Sequence, residues 1–418
     1  MSKLNRIEQI KELAIYAKEN FPFYQQKYEN IDLNEIKTLE DIKKLPIVSA
    51  TELIENSEQL ICKNKRPYRV TSSSGTSGKP KIIYRNKEDT DQSVKVLETM
   101  LRMAGVTEND TVLIGQPFDM AHFGYLVLGG CERINAISIP IGISMSNEKY
   151  ISMILMYKPT VICSSMSRVL SIIDLLKEKN VNSTPYVKTI ILAGEPLTSS
   201  GKIKIEEYFH TAPYNFYGSE ETDGLASDCY LHNGLHFFED LFYMELLELD
   251  GIESQIKENR IGEMVLTSLY QKGVPLIRYR LGDIVEVEKA QCSCGCKRPL
   301  IRVYGRAKDS FTIFDGITIM AYQIEDVLKA YFNNMINYQI VVSNTPMGKE
   351  EVNVRLEIKD ASELFSEDKL IDALWDCTED LQGIRDTDQL IFSVSINLGN
   401  IDVTQRGKTK KIIDLRKK

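Results

Sequence analysis

Two stretches of the chain concentrate side chains able to do chemistry. The first, TSSSGTSGKPK at residues 71–81, sets hydroxyl-bearing residues and two glycines between an extended segment and the strand-like KIIYR. A loop of this kind lets backbone N–H groups approach phosphate oxygens closely. Ser73, Ser74, Thr76 and Ser77 add hydroxyls, and Lys79 and Lys81 add charge. It is not a Walker A loop: Gly75-Thr76-Ser77-Gly78-Lys79-Pro80 runs into a proline and a strand, where that motif opens a helix. The second stretch is rich in thiols. Cys292, Cys294 and Cys296 stand in CSCGC, and Cys229, His232 and His236 stand well upstream in CYLHNGLHFFED. A thiol pair plus a Cys/His pair can supply four tetrahedral ligands to a closed structural zinc site, with Cys296 and His232 competing for places. No C-x-x-C pair suggests redox work. Cys62, Cys131, Cys163 and Cys377 lie among apolar neighbours and read as small buried hydrophobes.

The elements that must hold these residues alternate between helix and strand from about residue 88 to 218. Val94, Leu97, Leu101 and Ala104 share one helical face, TVLIGQPF, AISIPIG, TVICSS and VKTIILAG are β-branched runs, and SRVLSIIDLLKEKN is an amphipathic helix. Such alternation predicts a largely parallel sheet covered on both faces. After Gly218 longer strand-like stretches follow (FFEDLFYMELLELD, IGEMVLTSLY, LIRYRLGDIVEVE), as in an antiparallel β subdomain. Past residue 304 a strand pair, two helices and three strands make a small α+β unit. The fold expected is therefore α/β: a large domain over 1–304 with an antiparallel β subdomain, and a small mobile α+β domain over 305–418.

The bulk composition excludes several functions. With 51 basic and 59 acidic residues the net charge is −8, and no Lys/Arg block could track a nucleic acid backbone. No apolar run reaches the roughly 20 residues that span a bilayer, and the first twenty residues alternate charge with apolar side chains at helical spacing, unlike a signal peptide. No nucleic acid and no membrane are expected as partners, and the expected location is the cytoplasm, where cysteines stay reduced.

The loop at 71–81 resembles the signature that holds the ATP triphosphate in the acyl-adenylate-forming superfamily, and further motifs follow in that family's order. Ala193-Gly194-Glu195-Pro196 resembles its adenine-lining turn, Tyr217-Gly218-Ser219-Glu220-Glu221 its YGxTE segment, and Tyr279-Arg280-Leu281-Gly282-Asp283 its YRTGD. Gly305-Arg306-Ala307-Lys308-Asp309 resembles the GRxDD that opens the mobile domain, and Arg406-Gly407-Lys408 the segment with the catalytic lysine. FPFYQQKY, SSGTSGKPK, GLHFFED, CSCG and ITIMAYQIEDVL resemble the phenylacetate-CoA ligase branch in particular.

The resemblance implies ATP-dependent activation of a small carboxylic acid as an acyl-adenylate, then transfer to a thiol, most simply coenzyme A. Residues 73–79 would cradle phosphates, Glu221 would help hold Mg²⁺, Asp283 would accept from the ribose hydroxyls, Arg306 would join the nucleotide site, and Lys408 would bind the carboxylate and α-phosphate oxygens. Lys308 takes the hinge position. Glu220 departs from the family, which more often has Thr or Ser there; the extra carboxylate could tighten Mg²⁺ or repel the triphosphate. For zinc the likeness of GLH and CxCG favours Cys229, His236, Cys292 and Cys294.

The acyl pocket of the family corresponds to QPFDMAHFGYLVLGG and YNFYGSEETDG, so His122, Phe123 and Tyr125 would form an aromatic wall suited to an aryl acid. Asp119 in PFDMA resembles the aspartate that pairs with the amine in amino-acid-activating relatives. Two alternatives stand beside the CoA ligase: a freestanding enzyme that loads a carrier-protein phosphopantetheine or an amine, and a zinc-containing nucleotide-binding protein without catalysis. The sequence does not name an oligomeric state, a homodimer being one reading.

Overall fold

The computed structural model describes residues 3–73, 80–181, 185–247, 260–288, 291–313, 317–332, 335–358, 366–387, 389–396, 401 and 411–416. Its centre is one 11-stranded sheet. Five neighbouring strands are parallel: Ile137–Pro140 at the edge, then Thr111–Ile114, Val161–Ser164, Thr189–Ala193 and Tyr214–Ser219. Helices Lys87–Met103, Phe123–Ile134, Asn147–Tyr157, Met166–Glu178 and Ser199–Phe209 connect and cover them. Strand periodicity sends alternate side chains to opposite faces. Val112, Ile114, Cys163 and Ile191 join the core with Leu97, Leu101 and Leu126, while Leu113, Ile162, Ile190 and Leu192 join a second core with Ile151, Ile173 and Ile205.

The antiparallel stretch predicted after Gly218 is present, but it is not a separate layer. Tyr214–Ser219 pairs antiparallel with Asp223–Ser227, and the sheet continues through Leu235–Phe237, Leu300–Arg306, Tyr279–Val287, Arg260–Ser268 and Phe242–Leu247. The turn at 220–222 reverses the chain without breaking the ladder, so the Tyr217–Glu221 motif lies at the junction of the parallel and antiparallel halves.

Two further features position the site. Arg69–Ser73 and Lys81–Arg85 form an antiparallel pair with Ser73 opposite Lys81, bracketing the loop at 74–79, which lies outside the described residues. Asn86 then caps helix Lys87–Met103 by accepting from Asp89 N–H at 2.7 Å. A distinct apolar core gathers Phe311, Ile324, Leu328, Ile340, Val354, Leu374 and Phe392 around the four-stranded sheet Leu390–Ile396, Glu350–Ile358, Met335–Asn344 and Ile412–Asp414. Among the described residues no helix is long and apolar enough to cross a membrane.

Candidate active site and metal centre

A cavity of about 590 Å³ opens at the carboxyl ends of the parallel strands, where open α/β sheets characteristically bind ligands. Gly194 and Glu195 follow one strand, Gly218, Ser219 and Glu220 another, and Ser165 and Arg168 a third; Gln116, Pro117, Phe123 and Ile143 close the far side. Gly218 admits no other residue: a Cβ there would stand 1.8 Å from the Asp223 carbonyl oxygen. Glu195 is fixed by Ser167, whose N–H and hydroxyl donate to its two oxygens at 2.8 and 2.6 Å. Arg168 clamps the opposite rim, donating to the carbonyls of Met145 and Ile143 at 3.1 and 2.6 Å and to the Asn147 side chain.

Beside the cavity, Glu221 is buried and ion-paired with Lys81, and the Tyr279 hydroxyl donates to it at 2.6 Å. Burial first, and Arg306 second, push the Lys81 ammonium down to about 8 despite nearby Glu220. Burial raises the Tyr279 phenol well above its ordinary range, so it stays a donor. A carboxylate already carrying a cation and an O–H donor has the chemistry a divalent metal requires.

Tyr217, Asp283 and Arg306 form a second group, with Asp283 buried, Tyr217 half-buried and Arg306 exposed. The Tyr217 hydroxyl donates to Asp283 Oδ2 at 2.6 Å, Arg306 Nε lies 3.0 Å from Asp283 Oδ1, and Arg306 Nη1 donates to the Leu281 carbonyl at 2.8 Å. Burial raises the Asp283 carboxyl, against the pull of Arg306 and Tyr217.

The cysteine centre is compact. Ligand atoms of Cys229, His236, Cys292 and Cys294 all lie within 4.8 Å of one another, with Cys229 Sγ 3.7 Å from Cys292 Sγ and Cys294 Sγ 3.4 Å from His236 Nε2. Burial lowers the His236 imidazole, keeping it neutral as a ligand must be, and raises the Cys229 thiol to about 12, so a metal would have to displace its proton. The soft N/S donor set suits zinc. Of the competing ligands, His232 instead faces Asp228 at 3.4 Å and Tyr214, and Cys296 is outside the cluster.

Not every predicted residue faces the cavity. Ser74, Gly75, Thr76, Ser77, Gly78, Lys79 and Lys408 lie outside the described residues, and Ser73 ends its strand at the loop's entrance. Pro196 is exposed behind Glu195, and Lys308 sits in the single turn Ala307–Asp309. Of the expected aromatic wall only Phe123 lines the cavity. Tyr125, two residues along the same helix, points about 200° away and is 40% exposed, packed on Phe118 and under Arg69. His122 is fully buried, its Nδ1 3.1 Å from Asp223 Oδ1. Asp119 is exposed and accepts from Ser144 at 3.1 Å, away from the lining. Sequence reasoning assigned no role to Arg85, Asp223, Tyr279 or Arg168. Arg85 carried a signal, since Lys81 and Arg85 share one face of a strand that follows the phosphate loop.

No family model matches the chain. Its curated relatives include the phenylacetate-coenzyme A ligase of Thermus thermophilus, 26% identical over 98% of the chain and 96% of that protein, and that of Escherichia coli, 25% identical over 96% and 92%. Among solved structures it is similar to 2-hydroxyisobutyryl-CoA ligase in the postadenylation state with 2-HIB-AMP, at a TM-score of 0.76, 20% identity, and coverage of 98% of the chain and 89% of that structure. MatB from Rhodopseudomonas palustris shares the fold more loosely, at a TM-score of 0.56 and 14% identity over 82% of the chain and 66% of its own.

Proposed function

We infer the activity of a chain that belongs to the acyl-adenylate-forming superfamily, in its phenylacetate-CoA ligase-like branch, and is an AMP-forming acid–thiol ligase. It activates a small carboxylic acid with ATP and passes the acyl group to coenzyme A. The observation that carries this reading is the convergence of the 194–195 and 218–220 turns on one cavity beside the Glu221–Lys81 pair.

A carboxylate is a poor acyl donor because oxide leaves badly, and its attack on the α-phosphate brings two anions together. The chain's contribution is positive charge and placement. Residues 73–79 and Lys81 hold the triphosphate, Gly194, Glu195, Pro196, Tyr217, Gly218 and Ser219 border the nucleotide, and Asp283, steadied by Tyr217 and Arg306, accepts from the ribose. Lys408 neutralises the carboxylate and α-phosphate oxygens as they approach. Mg²⁺, held through Glu221, would spread the charge of the departing pyrophosphate. Zinc held by Cys229, His236, Cys292 and Cys294 would be structural and would tie the Leu235–Phe237 strand to the segment entering Leu300–Arg306. The small domain begins at residue 305 and turns about Lys308 between the two half-reactions.

The acid is compact, with an aromatic or other apolar body packed between Phe123, Pro117 and Phe216, and Asn147 and Arg168 beyond it. ATP–pyrophosphate exchange over a panel of aryl, hydroxy and short aliphatic acids tests the first half; adding CoA must then discharge the adenylate as a thioester. Exchange with none of them, in folded protein that also fails to bind ATP, would overturn the reading.

A further inference from the structure

The turn that carries Glu221 holds three acids in four positions, Glu220, Glu221 and Asp223. Two cations on the strand after the phosphate loop meet them. Lys81 takes Glu221, as described. Arg85 takes both of the others: Nη2 lies 3.0 Å from Glu220 Oε1 and also donates to the Glu220 carbonyl, Nη1 lies 3.0 Å from Asp223 Oδ1 and donates to Oδ2 at 3.1 Å, and Nε donates to Thr71 Oγ1 at 3.1 Å. Arg85 is 5% exposed, so these contacts lie where water screens little. The remaining Glu220 oxygen accepts from His122 N–H at 3.2 Å, and Ser93 donates to Asp223 at 2.6 Å. Asp223 keeps a left-handed backbone, φ +58°, which is costly for a non-glycine residue and persists only where surrounding bonds determine it.

We propose that Arg85 is a positioning residue that immobilises Glu220 and Asp223 and offsets one of their two charges, so that the turn presents Glu221 to the divalent metal of Mg·ATP. The second acid at position 220 then competes less for the metal and repels the triphosphate less, because both its oxygens are held within the protein and its charge is partly offset there. A planar fork of donors can serve two carboxylates and a carbonyl at once; a lysine ammonium cannot do so in the same geometry. The proposal rests on the ligase reading given above.

The consequence separates charge placement from mere structure, because a bare cation and a net-negative nucleotide complex respond in opposite directions. Removing Arg85 in Arg85→Met frees negative charge beside Glu221. Mn²⁺ alone, counted by EPR, binds on the order of tenfold more tightly, and Mg·ATP, followed by calorimetry, binds on the order of tenfold more weakly. In Arg85→Met/Glu220→Thr both constants return toward the original values. If Arg85→Met does not fold, Glu220→Thr alone serves: it removes one negative charge and leaves Arg85 matched by Asp223, so Mn²⁺ binds more weakly and Mg·ATP more tightly. The proposal is overturned if Mn²⁺ and Mg·ATP weaken together in a variant of unchanged melting temperature, if neither moves, or if Glu220→Thr shifts neither. Failure of the unaltered enzyme to bind Mg·ATP at all would instead remove the ligase reading beneath it.

Discussion

Loss of the cysteine centre should soften the large domain by an amount the structure lets us calculate. Cys229 and Cys292 are 63 residues apart, so a metal bridging them closes a loop of that length in the unfolded chain. Treated as a cross-link, such a loop is worth about 4 kcal/mol of conformational entropy. With an unfolding entropy scaled to about 300 residues, that corresponds to a melting temperature lower by about 6 °C. The assay is paired. Calorimetric melts are recorded for the enzyme as purified, after stripping by a high-affinity chelator, and for Cys292→Ser, with zinc per chain measured on each sample. Cys296→Ser is the control, since that thiol is outside the cluster, and it should keep both its metal and its melting point. The reasoning is refuted if the purified enzyme holds well under one zinc per chain and chelation leaves the melt unmoved, or if Cys296→Ser loses metal as readily as Cys292→Ser.

Lys81 sets an alkaline limit. Its ammonium is lowered to about 8, so kcat/KM for ATP in the exchange reaction falls as pH rises through that value. Between there and the ordinary lysine range the folded chain holds fewer protons than the unfolded one, so stability rises with pH while activity falls. Lys81→Arg keeps the charge and moves the limb upward; a profile flat to pH 9 in the unaltered enzyme would contradict this. Gly218→Ala must push the Asp223 carbonyl aside, and urea melts should register a loss of about 3 kcal/mol with exchange falling in parallel. Lys408→Ala should cut exchange by roughly 100-fold or more while sparing thioester formation from a supplied acyl-adenylate, and equal loss in both half-reactions would deny that lysine its assigned step.

How much of this was legible beforehand depended on whether the information was local. The parallel strands showed as short β-branched runs, and the clustering of Cys229, His236, Cys292 and Cys294 was legible because CSCG and GLH set thiols and an imidazole within a few residues. The single continuous sheet was not visible, because the pairing of Tyr214–Ser219 with Asp223–Ser227 that joins its halves leaves no trace in hydrophobic period. The aromatic wall failed for a geometric reason: positions 122, 123 and 125 at one helix start cannot all face one cavity. Arg85 was missed because its partners lie 135 and 138 residues away, and nothing in KIIYR names them.

The strand Leu300–Arg306 leaves the sheet not from its rim but from its interior. It is hydrogen-bonded to Tyr279–Val287 on one side and to Leu235–Phe237 on the other, and its last residue is moored to Asp283. Pairing with Tyr279–Val287 runs to Arg306, while on the other side only Leu300 and Ile301 are paired, so the sheet holds the chain along one edge as far as residue 306. If the small unit turns between the half-reactions as proposed, the backbone torsions of Ala307–Asp309 are the first beyond that strand able to take up the rotation.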